Sequence, residues 1–205
     1  MNIIGSSVLE AGNENAAYNS YPHRKEQMAR RIIVVYKSIY GSTSKYAAWI
    51  SQALDARLAQ SKDVTPGGLG EYDTVIYGGG LYAGGIAGVK LITKAPCKNL
   101  IIFTVGLADP NTTNYSPIID RLSPELRANA KFFHLRGGVD YKKLGIVHKV
   151  MMVMKKREIL KKTATGLTGE DREFLETYGC QIDFCDKESI KPLIDYVQSH
   201  PKKVD

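Results

Sequence analysis

The stretch Arg31-Ile-Ile-Val-Val-Tyr-Lys-Ser-Ile-Tyr-Gly-Ser-Thr43 decides the fold. Within it, Ile32 to Tyr36 is an unbroken apolar and mostly β-branched run. That is the pattern of a strand buried on both faces of a parallel sheet. Lys37-Ser-Ile-Tyr-Gly-Ser42 reads as a loop. From Thr43 onward Ala47, Ile50, Leu54 and Leu58 recur at helical spacing, with Ser42 or Thr43 as the expected N-cap. Strand, short loop and helix make the opening of a βαβ unit.

Downstream the cycle repeats. Strands are expected over Tyr72–Tyr77, Asn99–Val105 and Lys131–Arg136, with a weaker one near Lys62–Val64. A short helical stretch through Val89 and Leu91 follows the Gly78–Gly85 loop, and Ser116-Pro117 and Ser123-Pro124 each start a helix with proline at its favoured first position. A last helix over Ser189–Ser199 puts Ile190, Leu193, Ile194 and Val197 on one face. Strands alternating with helices predict an α/β fold with a five-stranded parallel sheet. Residues 137–185 are too long for an ordinary connection. They read as two inserted helices, one over Tyr141–Lys162 and one from Thr168, with Asp171 as its capping partner, to Gly179. Residues 1–30 lack periodicity and an apolar h-region and read as an N-terminal extension; 31–199 form the domain and 200–205 a tail.

Of the 205 residues, 43% are hydrophobic and 24% charged, which fits a globular chain rather than a disordered one. No apolar run approaches the length that spans a bilayer. The three cysteines form neither a disulfide framework nor a zinc-type spacing, and no metal site is read from them. The net charge of +7 is concentrated: residues 142–162 hold eight Lys/Arg and one Glu, and the remainder is neutral. A nucleic-acid-binding surface would spread its charge more widely, so nucleic acid is not an expected partner.

In an open parallel sheet the ligand sits beyond the carboxyl ends of the strands. The candidate loops are therefore Lys37–Thr43, Gly78–Gly85 and Thr104–Asn111. The first places hydroxyls and successive N–H groups at a helix N-terminus, which suits a phosphate; an ordinary serine-rich turn capping a helix reads the same way. The loop has no GxxxxGK[ST], which excludes a P-loop nucleotide site. Gly78-x-Gly80-x-x-Ala83 matches the dinucleotide fingerprint by letter but does not follow the first strand. His134 and His148 read as structural, and no Ser/His/Asp or Cys/His constellation is legible.

Ser38-x-Tyr40-Gly41-x-Thr43 at the first strand–helix junction resembles the FMN phosphate loop of flavodoxins, with tyrosine in place of threonine at position 40. The two later loops fall where that family borders the flavin ring. The resemblance implies a flavodoxin-like three-layer sandwich with strand order 2-1-3-4-5 and a helical insertion after the last strand. It implies FMN, with Ser38, Ile39, Tyr40, Gly41, Ser42 and Thr43 around its phosphate. Gly79, Gly80, Leu81, Tyr82, Ala83 and Gly84 would lie on one side of the ring, Tyr82 stacking on it. Thr104, Val105, Gly106 and Asp109 would lie on the other. Phe132-Phe-His-Leu-Arg-Gly-Gly-Val-Asp-Tyr141, followed by a basic Met-rich helix, resembles the flavodoxin-like protoporphyrinogen oxidases of haem biosynthesis. It implies a cytoplasmic FMN oxidoreductase that takes electrons from a porphyrinogen or another reduced small molecule and passes them to a quinone. A flavodoxin-type electron carrier docking on redox proteins is the alternative.

On a helical wheel Lys142, Lys149 and Lys156 align, with Leu144, Val147, Val150, Met151 and Met154 roughly opposite. This basic amphipathic segment has three readings. It docks on the inner face of a membrane, it steers an acidic substrate such as a propionate-bearing tetrapyrrole, or it packs on the domain or on a second copy in a homodimer.

Overall fold

A computed structural model describes residues 31–82 and 84–200. The expectations for residues 1–30, for Ala83 and for residues 201–205 lie outside the described residues.

The opening run forms β1 (Ile32–Lys37), with Ile33, Val34 and Val35 wholly buried. Chain reversal through Gly41 starts α1 (Ser42–Leu54), and β2 (Arg57–Gln60) returns beside β1. The second strand falls earlier than Lys62–Val64, because α1 ends at Asp55 in the left-handed conformation, φ 48°. Leu58 therefore belongs to β2 and is exposed, rather than continuing the apolar face of α1. Next come β3 (Thr74–Tyr82), the two-residue β4 (Gly85–Ile86), and β5 (Leu100–Gly106). Two short helices, α2 (Ser116–Ile119) and α3 (Pro124–Asn129), precede β6 (Ala130–Arg136).

The five parallel strands run in the order β2-β1-β3-β5-β6, with β4 as an antiparallel ribbon on β3. Without that ribbon this is the expected 2-1-3-4-5. One face of the sheet is covered by α1 and α6 (Lys191–Ser199), through Tyr46, Ala47, Ile50, Leu193 and Val197 packed on Val34, Ile76, Ile101 and Phe103. The other face is covered by short turns instead of long helices: Leu69, Ile92 and Leu126 pack on Ile33, Val35, Val75 and Ile102. The result is the α/β three-layer sandwich.

The insertion has a framework that its sequence does not announce. β7 (Gly138–Asp140) and β8 (Gln181–Asp183) pair antiparallel at its two ends. Between them lie α4 (Ile146–Leu160) and α5 (Gly169–Thr177). The first is shorter than Tyr141–Lys162, since Asp140 folds the next residues into a turn by accepting from Lys142 N at 3.0 Å. Asp140 does not cap α4, whose N-cap is Gly145, and it lines a cavity beside Tyr40 and Ser42. The second helix carries the expected capping box between Thr168 and Asp171, and Gly179 follows it at φ 88°.

Candidate functional site

The loop after β1 is shaped by Gly41, whose φ of 101° a side chain would resist. Its N–H donates to Ser38 Oγ at 3.1 Å, and its carbonyl accepts from Ser44 Oγ at 2.7 Å. Gly41 itself is the N-cap of α1, in place of the expected Ser42 or Thr43, and no side chain caps the first turn. That turn has no carboxylate either. The N–H groups at the positive end of the helix are thus offered without a competing side-chain acceptor, which fits a phosphate. Ser42 Oγ accepts from Gly138 N at 3.0 Å, so the loop is held against the insertion's first strand. Thr43 is buried beneath Gly80, where a β-carbon would meet only its Oγ1, at 3.5 Å.

Tyr40 explains its own departure from the flavodoxin pattern. Its hydroxyl accepts from Gly145 N at 3.2 Å and pairs with His148 Nδ1. The imidazole of His148 stands edge-on to Tyr40 and, at 4.1 Å between ring centres, edge-on to Tyr82. The phosphate-type loop, the aromatic of the β3 loop and the first turn of α4 therefore meet at one point. A threonine at position 40 would be too short to reach α4.

The three consecutive glycines at the end of β3 have separate roles. A β-carbon at Gly78 would sit 2.1 Å from the Phe103 ring, and one at Gly79 would sit 2.4 Å from Ile86. Both are packing glycines, and only Gly80 opens toward Thr43. Leu81 pairs with Ile86 in the β3–β4 ribbon, and Gly84 O accepts from Arg121 at 2.8 Å.

In the third loop the structure revises the expectation. Thr104 and Val105 are strand residues whose side chains are buried. Thr104 Oγ1 bonds His134 Nδ1 at 2.6 Å, and Val105 belongs to the core under α1. Burial lowers the His134 imidazole to a pKa of about 4, so it is neutral at pH 7, stacked on Tyr115 at 3.6 Å. Gly106 lies at the strand end, and Asp109 turns back on its own loop, accepting from Asn111 N at 2.9 Å. Of this group, Gly106 and the loop after it border the strand ends. Arg136 ties that loop to the insertion: its Nε donates to Leu107 O at 3.0 Å, its guanidinium pairs with Glu173, and it lies 3.8 Å over Phe184.

Cavities flank the first loop on both sides. One of about 580 Å³ is lined by Ser38, Gly41, Ser44, Lys37 and Lys62. The other, about 540 Å³, is lined by Tyr40, Ser42, Gly138, Lys143 and Asp183. Both are of a size that holds a small molecule. Asp183 is drawn down to about 2 by hydrogen bonds from Cys185 and then Lys45, and its ion pair with Lys45 spans 2.9 Å.

The sequence marks no role for Tyr46, Arg136 or Gly145, and it reads His148 as structural. Tyr46 donates to Arg136 O at 2.7 Å and accepts from Asp186 N at 3.0 Å, fixing α1 to the base of the insertion. Only its helical spacing to Ile50 marks it, and that reads as core.

No curated protein matches the chain. Among solved structures, it is similar to a flavodoxin from the domain Archaea, at 18% identity and a TM-score of 0.39, covering 55% of this chain and 87% of that one. It is similar to a flavoprotein in complex with FMN from Lactobacillus acidophilus, at 14% identity and a TM-score of 0.39, covering 53% and 93%. It is also similar to a WrbA-like flavodoxin from Agrobacterium tumefaciens, at 15% identity and a TM-score of 0.41, covering 84% and 99%. The family model described as "Flavodoxin domain" matches residues 33–165, from within β1 to the turn after α4, and the chain belongs to that family.

Proposed function

We propose that the protein is an FMN-dependent redox protein that holds its cofactor non-covalently at the carboxyl ends of β1, β3 and β5. The observation that carries this reading is the first turn of α1, uncapped by any side chain and free of carboxylates, behind a glycine at φ 101°. Ser38, Gly41, Ser42 and Thr43 would hold the phosphate through backbone N–H and hydroxyl groups. Gly80, Tyr82 and Gly106 would border the ring, with Tyr82 as its aromatic platform. FMN supplies hydride or single-electron transfer when bound, so the chain need contribute only position and electrostatics.

The finer reading is a dehydrogenase of the protoporphyrinogen type that passes electrons to a quinone. It rests on the resemblance of Phe132–Tyr141 and on the insertion after β6. The basic helix of that insertion reaches the site through His148, where it would attract the propionates of a tetrapyrrole. A carrier that docks on a redox protein is the second reading, favoured by the exposure of Ile39 and Tyr40 beside the site.

The test is a visible spectrum after incubation with FMN and desalting. Retained flavin bands, lost in Ser42→Ala/Thr43→Ala, are expected. A colourless parent protein would overturn both redox readings. With flavin in place, oxidation of a porphyrinogen by a soluble quinone separates the enzyme from the carrier.

A further inference from the structure

Nine large apolar side chains are exposed among the described residues, and six of them belong to α4. They are Ile146 at 82%, Val147 at 67%, Met154 at 64%, Leu160 at 61%, Val150 at 52% and Val153 at 37%. At about 100° per residue they fall within about 140° of the helix circumference. Arg157 and Lys161 lie inside that arc and Lys149 at its edge. The opposite side of the helix is already occupied. His148 meets Tyr40 and Tyr82, Lys155 lies 5.1 Å over Phe174, and Ile159 is buried. A helix packed on one side normally turns a polar face outward. This one turns an apolar face outward as well: Val147, Val150 and Met154 are exposed, while Lys156 lies 4.2 Å over the Tyr178 ring.

An apolar stripe of this length with basic neighbours is an interaction surface. Charge decides what covers it. Residues 142–162 hold eight Lys/Arg and one Glu, and two of the eight are neutralised locally, Lys143 by Asp140 and Lys162 by Asp171. A second copy laid on this face would bring like charges together. A bilayer with anionic headgroups accepts both the apolar stripe, at the headgroup boundary, and the cations around it.

We infer that the outer face of α4 docks on the surface of an anionic lipid bilayer. The helix lies on that surface and does not cross it, since no helix among the described residues is long and apolar enough to span a membrane. Two of the three remaining exposed apolar residues, Ile39 and Tyr40, belong to the loop that α4 touches through Gly145. Docking therefore brings the loop after β1 close to the lipid, with the Tyr40, His148 and Tyr82 cluster held on the inner side of the helix. The inference goes beyond the flavin reading and is measured without flavin.

The experiment is sedimentation of the full chain with vesicles of phosphatidylcholine, alone or mixed with phosphatidylglycerol. We expect binding to the mixed vesicles only, weakening as salt rises. Val147→Ser/Val150→Ser/Met154→Ser abolishes it, and Lys149→Gln/Arg157→Gln lowers partitioning by about 30-fold, from two lost cations. Both variants alter exposed residues and should keep the parent's thermal midpoint. Three outcomes overturn the proposal: a parent chain left in the supernatant at low salt, a serine variant that sediments like the parent, or a parent dimer in solution that the serine variant converts to monomer.

Discussion

A methyl group at Gly78 would overlap the buried Phe103 ring, whereas one at Gly80 meets only Thr43 at ordinary contact distance. Gly78→Ala should therefore lower stability by about 1–3 kcal/mol through overpacking. Gly80→Ala should stay within about 0.5 kcal/mol of the parent yet weaken FMN retention. Thermal melts and a flavin titration check both; equal losses of stability would contradict the division of roles. His134 gives a second residue-scale expectation. Its pKa falls from 6.5 to about 4 by burial, so between those values the unfolded chain takes up a proton that the folded chain refuses. Stability then falls as pH drops through that window, by well under the roughly 3 kcal/mol of the full difference, because water reaches the half-buried ring. His134→Gln should flatten the fall in thermal midpoint between pH 7 and pH 4.5, and an unchanged slope would rule the imidazole out as its source. The three loops that frame the candidate site are readable in the sequence, because loops after buried strands advertise themselves. The place of His148 is not. It meets Tyr40 across 108 positions of sequence, and no local pattern encodes that meeting.

Among the elements, α5 shows how far local chemistry reaches. Thr168 Oγ1 accepts from Asp171 N at 3.1 Å, and Asp171 accepts from Thr168 N at 3.0 Å, a capping box readable from spacing alone. Thr168→Ala should cost about 0.5–2 kcal/mol, seen in the thermal midpoint. The Asp171 carboxylate is held at about 2, first by the hydrogen bond from Lys162 and then by Thr168, against an ordinary 3.8. Its contribution is present above that ordinary value and disappears as pH falls toward 2. The stability lost in Asp171→Ala should therefore shrink as pH falls toward 2; a constant loss would show that the charge of the carboxylate plays no part. For α4 the sequence yields the helix but not its orientation. Both sides of the wheel carry apolar residues, and only contact with Tyr40, Phe174 and Tyr178 decides which side is inward.

Across the whole molecule, the parallel sheet was legible because its strands are long and continuous in apolar residues. β7 and β8 were not, since three residues carry no usable period. Yet that small ribbon organises the second half of the chain. Gly138 and Asp183 are direct partners in it, and a β-carbon at Gly138 would collide with Ile182 O at 2.4 Å. The polypeptide leaves the sheet and comes back to it at the same place, fastened to α1 there by Ser42 and Lys45. Everything from Tyr141 to Cys180 consequently begins and ends at one closed clasp, and leans back on the sheet's loops through His148 on Tyr82 and Glu170 on Thr113.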